Sequence, residues 1–208
     1  MADNTLQFQW IVTLKENLDA RLPDFVGGDL LWYPVEGEPT IRVAPDVLVA
    51  LGRPKGHRGS YLQWREGGVA PQVAFEVLSP GNRFGELYKK VEFYRRHGVD
   101  ELYIYDPQRE SLEGFVRRDG QLDEVEDMTD FTSPRLGIRF VLGDTLSVFD
   151  ASGERFLTFG ELKARADTEK ARADTEKARA DTEKARADTE RARADALEAK
   201  LRALGLEP

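Results

Sequence analysis

The most constraining feature of the chain is a seven-residue repeat near its end. ARADTEK occupies 164–170 and recurs at 171–177 and 178–184; a fourth copy, 185–191, ends in Arg191, and ARAD follows at 192–195. Ala, Arg, Glu and Lys are strong helix formers, and the repeats contain neither Gly nor Pro. A single helix is therefore predicted over 161–204, about 60 Å long at 1.5 Å per residue. Ala164, Thr168, Ala171, Thr175 and Ala178 alternate spacings of four and three, a coiled-coil period built from small side chains. Leu197, Leu201 and Leu204 extend it with a more apolar stripe. Such a helix stands alone in solvent, pairs weakly with copies of itself, or docks a partner. Residues 161–208 carry 12 basic and 12 acidic side chains, so the net charge of −8 resides in 1–160. The expected organisation is a globular domain over 1–160 and a heptad-repeat helical tail over 161–208.

Of 208 residues none is cysteine, which excludes a disulfide scaffold, an iron–sulfur cluster and a thiol nucleophile. His57 and His97 alone make a histidine metal cage improbable. No apolar run approaches the roughly 20 residues of a membrane helix, and Met1-Ala2-Asp3-Asn4 lacks the basic, apolar start of a secretory signal. The expectation is a soluble cytoplasmic protein. An acidic balance argues against a surface that attracts nucleic acid all over, but leaves room for a local basic groove.

Within 1–160 the apolar pattern predicts a helix over 5–20, carrying Leu6, Trp10, Ile11, Leu14 and Leu18. Strands follow at Leu30–Tyr33, Ile41–Leu51 and Val73–Leu78, with a glycine-rich loop over 52–68. Gly81 and Asn82 lead into a helix of roughly 83–97, ended by Gly98. Leu102–Tyr105 is a strand. Asp119-Gly120 signals a hairpin between 112–117 and 122–126, and 140–149 adds short strands. A crossover helix between two short apolar strands makes those strands parallel. The order is that of an α/β domain with a mixed sheet.

Two carboxylates and a lysine carry the chemical reading. Asp46 follows Pro45, which cannot donate to a ladder and marks a bulge or strand edge; a turn-capping or solvent-facing role is the ordinary alternative. Glu76 shares a strand face with Ala74 and Leu78, where a carboxylate is costly unless paired or bound to a cation. Its alternative is a half-buried acid paired with an arginine. In the following helix Phe84, Leu87, Val91 and Tyr94 form the core stripe, and Lys90 lies on its border while Lys89 points to solvent. An ordinary Glu86–Lys90 surface pair competes with that reading. Carboxylates bind Mg²⁺ through oxygen, the ion activates water and offsets phosphoryl charge, and a lysine assists; phosphodiester hydrolysis needs no organic cofactor. Arg53, Lys55 and Arg58, with Tyr61 and Trp64, form a candidate substrate-binding loop, or else a flexible surface loop.

The runs RVAPDVLVALGRPKGHRGSYLQW (42–64) and PQVAFEVLSPGNRFGELYKKVEFYRRHGVDELYIYDP (71–107) resemble the Uma-two family of restriction-endonuclease-like proteins, within the PD-(D/E)XK nuclease superfamily. The resemblance covers roughly 5–150. It implies an αβββαβ restriction-endonuclease-like core and a metal-dependent deoxyribonuclease. It further implies Asp46 and Glu76 as catalytic ligands of Mg²⁺ (or Mn²⁺), with Lys90 as the catalytic lysine. The superfamily's lysine stands two residues after the second acid, where this chain has Leu78; Lys90 on the next helix takes its place. Glu86 and Tyr94 also match family positions. DNA is the expected substrate and a homodimer or higher homo-oligomer, joined through the tail, the expected assembly. The rival expectation is a non-catalytic nuclease-fold protein that oligomerises or docks a partner through the repeat helix.

Overall fold

The computed structural model describes residues 4–81 and 84–203, without the side chain of Phe84. Asn82 and Leu204, and the Phe84 side chain expected in the core stripe, lie outside the described residues. The chain divides between Thr158 and Phe159 into two compact units.

The first unit opens with helix α1 (Thr5–Arg21), whose N-cap Asn4 accepts the Gln7 backbone N–H at 2.8 Å. A six-stranded sheet follows in the order β1 (Asp24–Gly28), β3 (Val47–Pro54), β5 (Val73–Val77), β6 (Glu101–Asp106), β7 (Ser111–Arg118) and β8 (Gln121–Glu124). Helix α2 (Phe84–His97) connects β5 to β6, which run parallel, as its crossover requires; every other pair in this sheet is antiparallel. The β7–β8 turn places Asp119 at φ 48° and Gly120 at φ 83°, the left-handed pair a tight hairpin needs. A two-stranded parallel pair, β2 (Trp32–Tyr33) with β4 (Tyr61–Leu62), lies outside the main sheet. Strands β9 (Asp130–Thr132), β10 (Arg139–Leu142) and β11 (Leu146–Phe149) form a third, antiparallel sheet.

Strand alternation sorts the core onto two faces. Val47, Val49, Val73, Phe75, Val77, Tyr103 and Tyr105 join Ile11, Leu14 and Leu18 of α1 and Phe140 and Val148 of the third sheet. Leu48, Ala50, Ala74, Leu102 and Ile104 face the other way, against Trp32, Tyr61 and Tyr94. Glu101 anchors the third sheet: fully buried, it accepts hydrogen bonds from Tyr103 Oη (2.9 Å), Ser133 Oγ (2.5 Å) and the Arg135 N–H (2.6 Å).

Several expected elements shift. The first strand of the main sheet is β1, not Leu30–Tyr33. Gly27 permits it, because a Cβ there would sit 3.2–3.3 Å from Leu30, Leu48 and Phe25. The expected strand over 41–51 begins only at Val47, after Pro45, and continues through Gly52, at φ 75°, to Pro54. The glycine-rich loop also contains β4 and a 3₁₀ turn at Gln63–Glu66. In α1, Leu6 is exposed, while Gln7, Thr13 and Asn17 are buried with the apolar stripe.

The second unit is helix α3 (Phe159–Ala203), 45 residues with none buried. Its threonines at 168, 175, 182 and 189 donate to the carbonyls of Ala164, Ala171, Ala178 and Ala185 at 2.7–2.9 Å.

Candidate active site

Pro45 keeps the chain out of the β3 ladder until Val47, leaving Asp46 at the strand's entrance. The antiparallel register that pairs Val47 with Phe75 sets Asp46 opposite Glu76. The Asp46 carbonyl accepts the Asp29 N–H (3.0 Å), and its Oδ2 accepts the Val77 N–H (2.7 Å), so one residue ties together the ends of three neighbouring strands. Asp46 Oδ1 accepts no hydrogen bond from any described residue. Glu76 is only 4% exposed, in the middle of an otherwise apolar strand. Two residues of α2, one turn apart, reach it: Lys90 Nζ donates to Oε2 at 2.7 Å, and the Tyr94 hydroxyl donates to Oε1. Lys90 Nζ also lies 3.4 Å from the Ala44 carbonyl. Tyr94 is fully buried and stacks on Trp32, with centroids 6.4 Å apart and planes 10° apart, so its hydroxyl is fixed by ring packing.

The electrostatics follow from burial. Desolvation raises the Glu76 carboxyl, reinforced by nearby Asp46 and opposed by Lys90 and Tyr94, to about 7. Burial likewise raises Asp46, against the pull of the Val77 N–H and Lys90; the exposed Asp29 adds repulsion. Burial alone would lower Lys90, but the surrounding carboxylates outweigh it and hold the ammonium charged. The Tyr94 hydroxyl rises well above its ordinary range through burial and the facing Glu76, and therefore stays a donor.

The arrangement gathers Asp46, Glu76 and Lys90 from β3, β5 and α2. Glu86 is exposed, and Lys90 pairs with Glu76 rather than with it. Lys89, one residue earlier, is exposed. The three loop cations are not brought here. Arg53 near the end of β3 and Lys55 just beyond it lie about 20–30 Å of extended chain from Asp46. Arg53 donates to the Glu66 carbonyl (3.1 Å), and Lys55 bridges Asp19 (3.2 Å). Arg58 is bound to Glu66 (2.7 Å) and packs over the Phe25 ring at 3.9 Å. Charge and glycine content marked the loop as a surface, but not that Glu66, within the loop, and Asp19 of α1 would occupy its cations.

Sequence reasoning missed two neighbours of the site. Gln7 Nε2 donates to the Val77 carbonyl at 2.7 Å from a buried position on α1. Its signal was available: 7, 11, 14 and 18 form one helical stripe, and Gln7 is its polar member. Asp29 depends on a left-handed backbone, φ 47°, which no pattern announces.

Among the described residues no group of three or more His, Cys, Asp or Glu side chains is arranged to hold a metal ion. The carboxylate pair suits Mg²⁺ in donor type, since that ion commonly takes one or two carboxylates and completes its shell with water and phosphate. Charge points the same way. Among the described residues Lys90 supplies one positive charge to the buried Glu76 and the half-buried Asp46, and Asp46 Oδ1, which meets no described donor, is where another cation would be accommodated.

Acids from two adjacent strands and a lysine from the crossover helix meet at one end of the sheet, and the sequence profile that matches most of the chain places it among nuclease-like proteins. The chain belongs to the Uma2 family, described as "Putative restriction endonuclease", whose sequence profile matches residues 4–147. No curated protein matches it. A crystal structure of "a putative nuclease belonging to DUF820", from Anabaena variabilis, is similar at 14% identity and a TM-score of 0.45, over 64% of this chain and 72% of that one. Among the described residues no helix is long and apolar enough to cross a membrane.

Proposed function

We propose that the chain is a Mg²⁺-dependent endonuclease that hydrolyses phosphodiester bonds in DNA, with Asp46, Glu76 and Lys90 as its catalytic residues. The observation that carries this reading is the buried Glu76, joined to Lys90 and set opposite Asp46 at one end of the sheet. Asp46 and Glu76 would hold the ion, Mg²⁺ or Mn²⁺. When bound, such an ion lowers the pKa of a water and offsets charge on the phosphoryl oxygens. The chain's own groups do the rest. Lys90 holds a proton on Nζ beside the carboxylates and is positioned to shield negative charge that develops on phosphate. Tyr94 and the Val77 N–H fix the two acids, and Gln7 steadies the strand end that carries Glu76.

Cleavage of supercoiled and linear DNA, with Mg²⁺ or with chelator, tests this. Wild type should cleave only with the metal. D46N, E76Q and K90M should each lose about 100-fold or more, the scale of removing one electrostatic contributor. Metal-independent cleavage, or equal rates for all four proteins, would overturn the assignment.

A second feature favours an assembly role alongside catalysis. An exposed 45-residue helix with a heptad seam is suited to joining copies of the chain, and a homodimer would offer two sites to the two strands of a duplex.

A further inference from the structure

Beside the site runs a groove of about 370 Å³ between residues 40–42 and the outer flank of α2. Its walls belong to the two segments that approach each other where Lys90 Nζ lies 3.4 Å from the Ala44 carbonyl, which sets the groove next to the carboxylates. Arg42, Lys89 and Arg96 line it, and its one acid, Glu92, is paired with Arg95 at 2.6 Å. Neither Lys89 nor Arg96 has an ion-pair partner among the described residues. Tyr88 is 60% exposed at its edge, and Arg42 is steadied by Tyr33, whose hydroxyl lies 3.3 Å from Nη1.

Helix capping does not account for this charge. The α2 carbonyls of Tyr94 and Arg95 already accept from Arg117 Nη2 (3.4 and 2.9 Å), and Tyr94 also accepts the Val99 N–H at 3.2 Å. Arg96 is left directed to the groove. A row of unpaired cations is unexpected in a protein whose net charge is −8. Phosphates are the groups such a row attracts, and an exposed aromatic ring suits an adjoining base.

We propose that this groove binds the phosphodiester backbone of a DNA strand and guides it to the Asp46–Glu76 end of the sheet. The proposal deepens the nuclease reading of the adjoining site and rests on it for the direction of the strand. Lys89 and Arg96 lie seven residues apart on one helix flank, about 10 Å along its axis, a span that serves more than one phosphate.

The test is fluorescence anisotropy of a labelled DNA oligonucleotide with the full chain in chelator, titrated at several salt concentrations. K89E/R96E should weaken binding at least tenfold and reduce the salt slope by about 1.5, since each phosphate contact contributes about 0.7 for a single strand and about 0.9 for a duplex. K89Q/R96Q, which conserves side-chain polarity, should weaken it less. R109E/R118E makes the same change in net charge on exposed residues elsewhere and should change binding less than threefold. Equal losses in both reversed-charge pairs, unchanged binding in K89E/R96E, or no binding by wild type would each overturn the groove. Wild type that binds through these residues but fails to cleave with Mg²⁺ would support the groove and refute only the catalytic reading.

Discussion

At the scale of single residues, the balance around Glu76 decides how the site is built. A buried carboxylate costs several kcal/mol in lost hydration unless its oxygens are satisfied. Here one oxygen is satisfied by an ammonium and the other by a phenol held in place by stacking. Tyr94→Phe keeps the ring and removes only the donor. It should lower stability by about 1–3 kcal/mol, the range for leaving a buried acceptor unpaired. The same change in an E76Q background should cost less, because a neutral amide places a smaller demand on its donor. Urea denaturation of the four proteins measures this, and identical Tyr94→Phe penalties in both backgrounds would show that the hydroxyl's contribution does not run through the Glu76 charge.

At the scale of elements, the end of the first unit is fastened to α1 by one carboxylate. Asp150 Oδ1 accepts from the Ser152 N–H (2.9 Å), Ser152 Oγ (2.6 Å) and the Glu154 N–H (2.9 Å), and Oδ2 accepts from Arg21 Nε (2.8 Å). Asn17 continues the contact through both backbone groups of Leu157. The Ser152 and Arg21 donors hold the Asp150 carboxyl well below the usual carboxylate range. A depressed folded pKa stabilises at pH values above the unfolded value near 4 and is lost as pH falls through the folded one. D150N should therefore melt a few degrees below wild type at pH 7. The gap should narrow steadily as pH is lowered from about 5 toward 2. A gap independent of pH would mean the turn, not the charge, does the fastening. The elements legible in sequence were those whose pattern is local. Strand β5, α2 and β6 could be read because apolar runs and a 3.6-residue stripe lie next to one another, and the phase of that stripe separates Lys90 from Lys89. Glu76 was visible as a charge among apolar neighbours. Strand β1 was not, because Gly27 and Gly28 carry no pattern and their strand exists only through pairing with β3, twenty residues away. Nor was the fate of Arg53, Lys55 and Arg58: Lys55 depends on Asp19 of α1, and Arg53 and Arg58 on how the loop folds Glu66 back onto them.

At the scale of the whole molecule, the acidic first unit and the neutral helix obey different physics. The first unit is held by two buried faces of one sheet. Helix α3 buries nothing of its own and stands on intrinsic propensity and on pairs such as Arg165–Glu169 and Arg186–Glu190, each 3.4 Å, contacts worth a few tenths of a kcal/mol. Its threonine hydroxyls are returned to the helix's own carbonyls, so the seam is left with methyl groups of Ala and Thr. Ala and Thr bury little area, and any association through this seam should accordingly be weak and concentration-dependent. Replacing Thr168, Thr175, Thr182 and Thr189 by Leu adds apolar area to one stripe without disturbing the charged faces. Burial of the added methylenes, at about 0.8 kcal/mol each when complete, should tighten association at least tenfold. Sedimentation equilibrium of the full chain across micromolar concentrations measures it. A rise in mean mass for wild type, steeper in the leucine variant, supports a self-associating tail. A single monomer mass for both proteins at every concentration would reject the seam as a contact between copies and leave the helix as a rod awaiting a different partner.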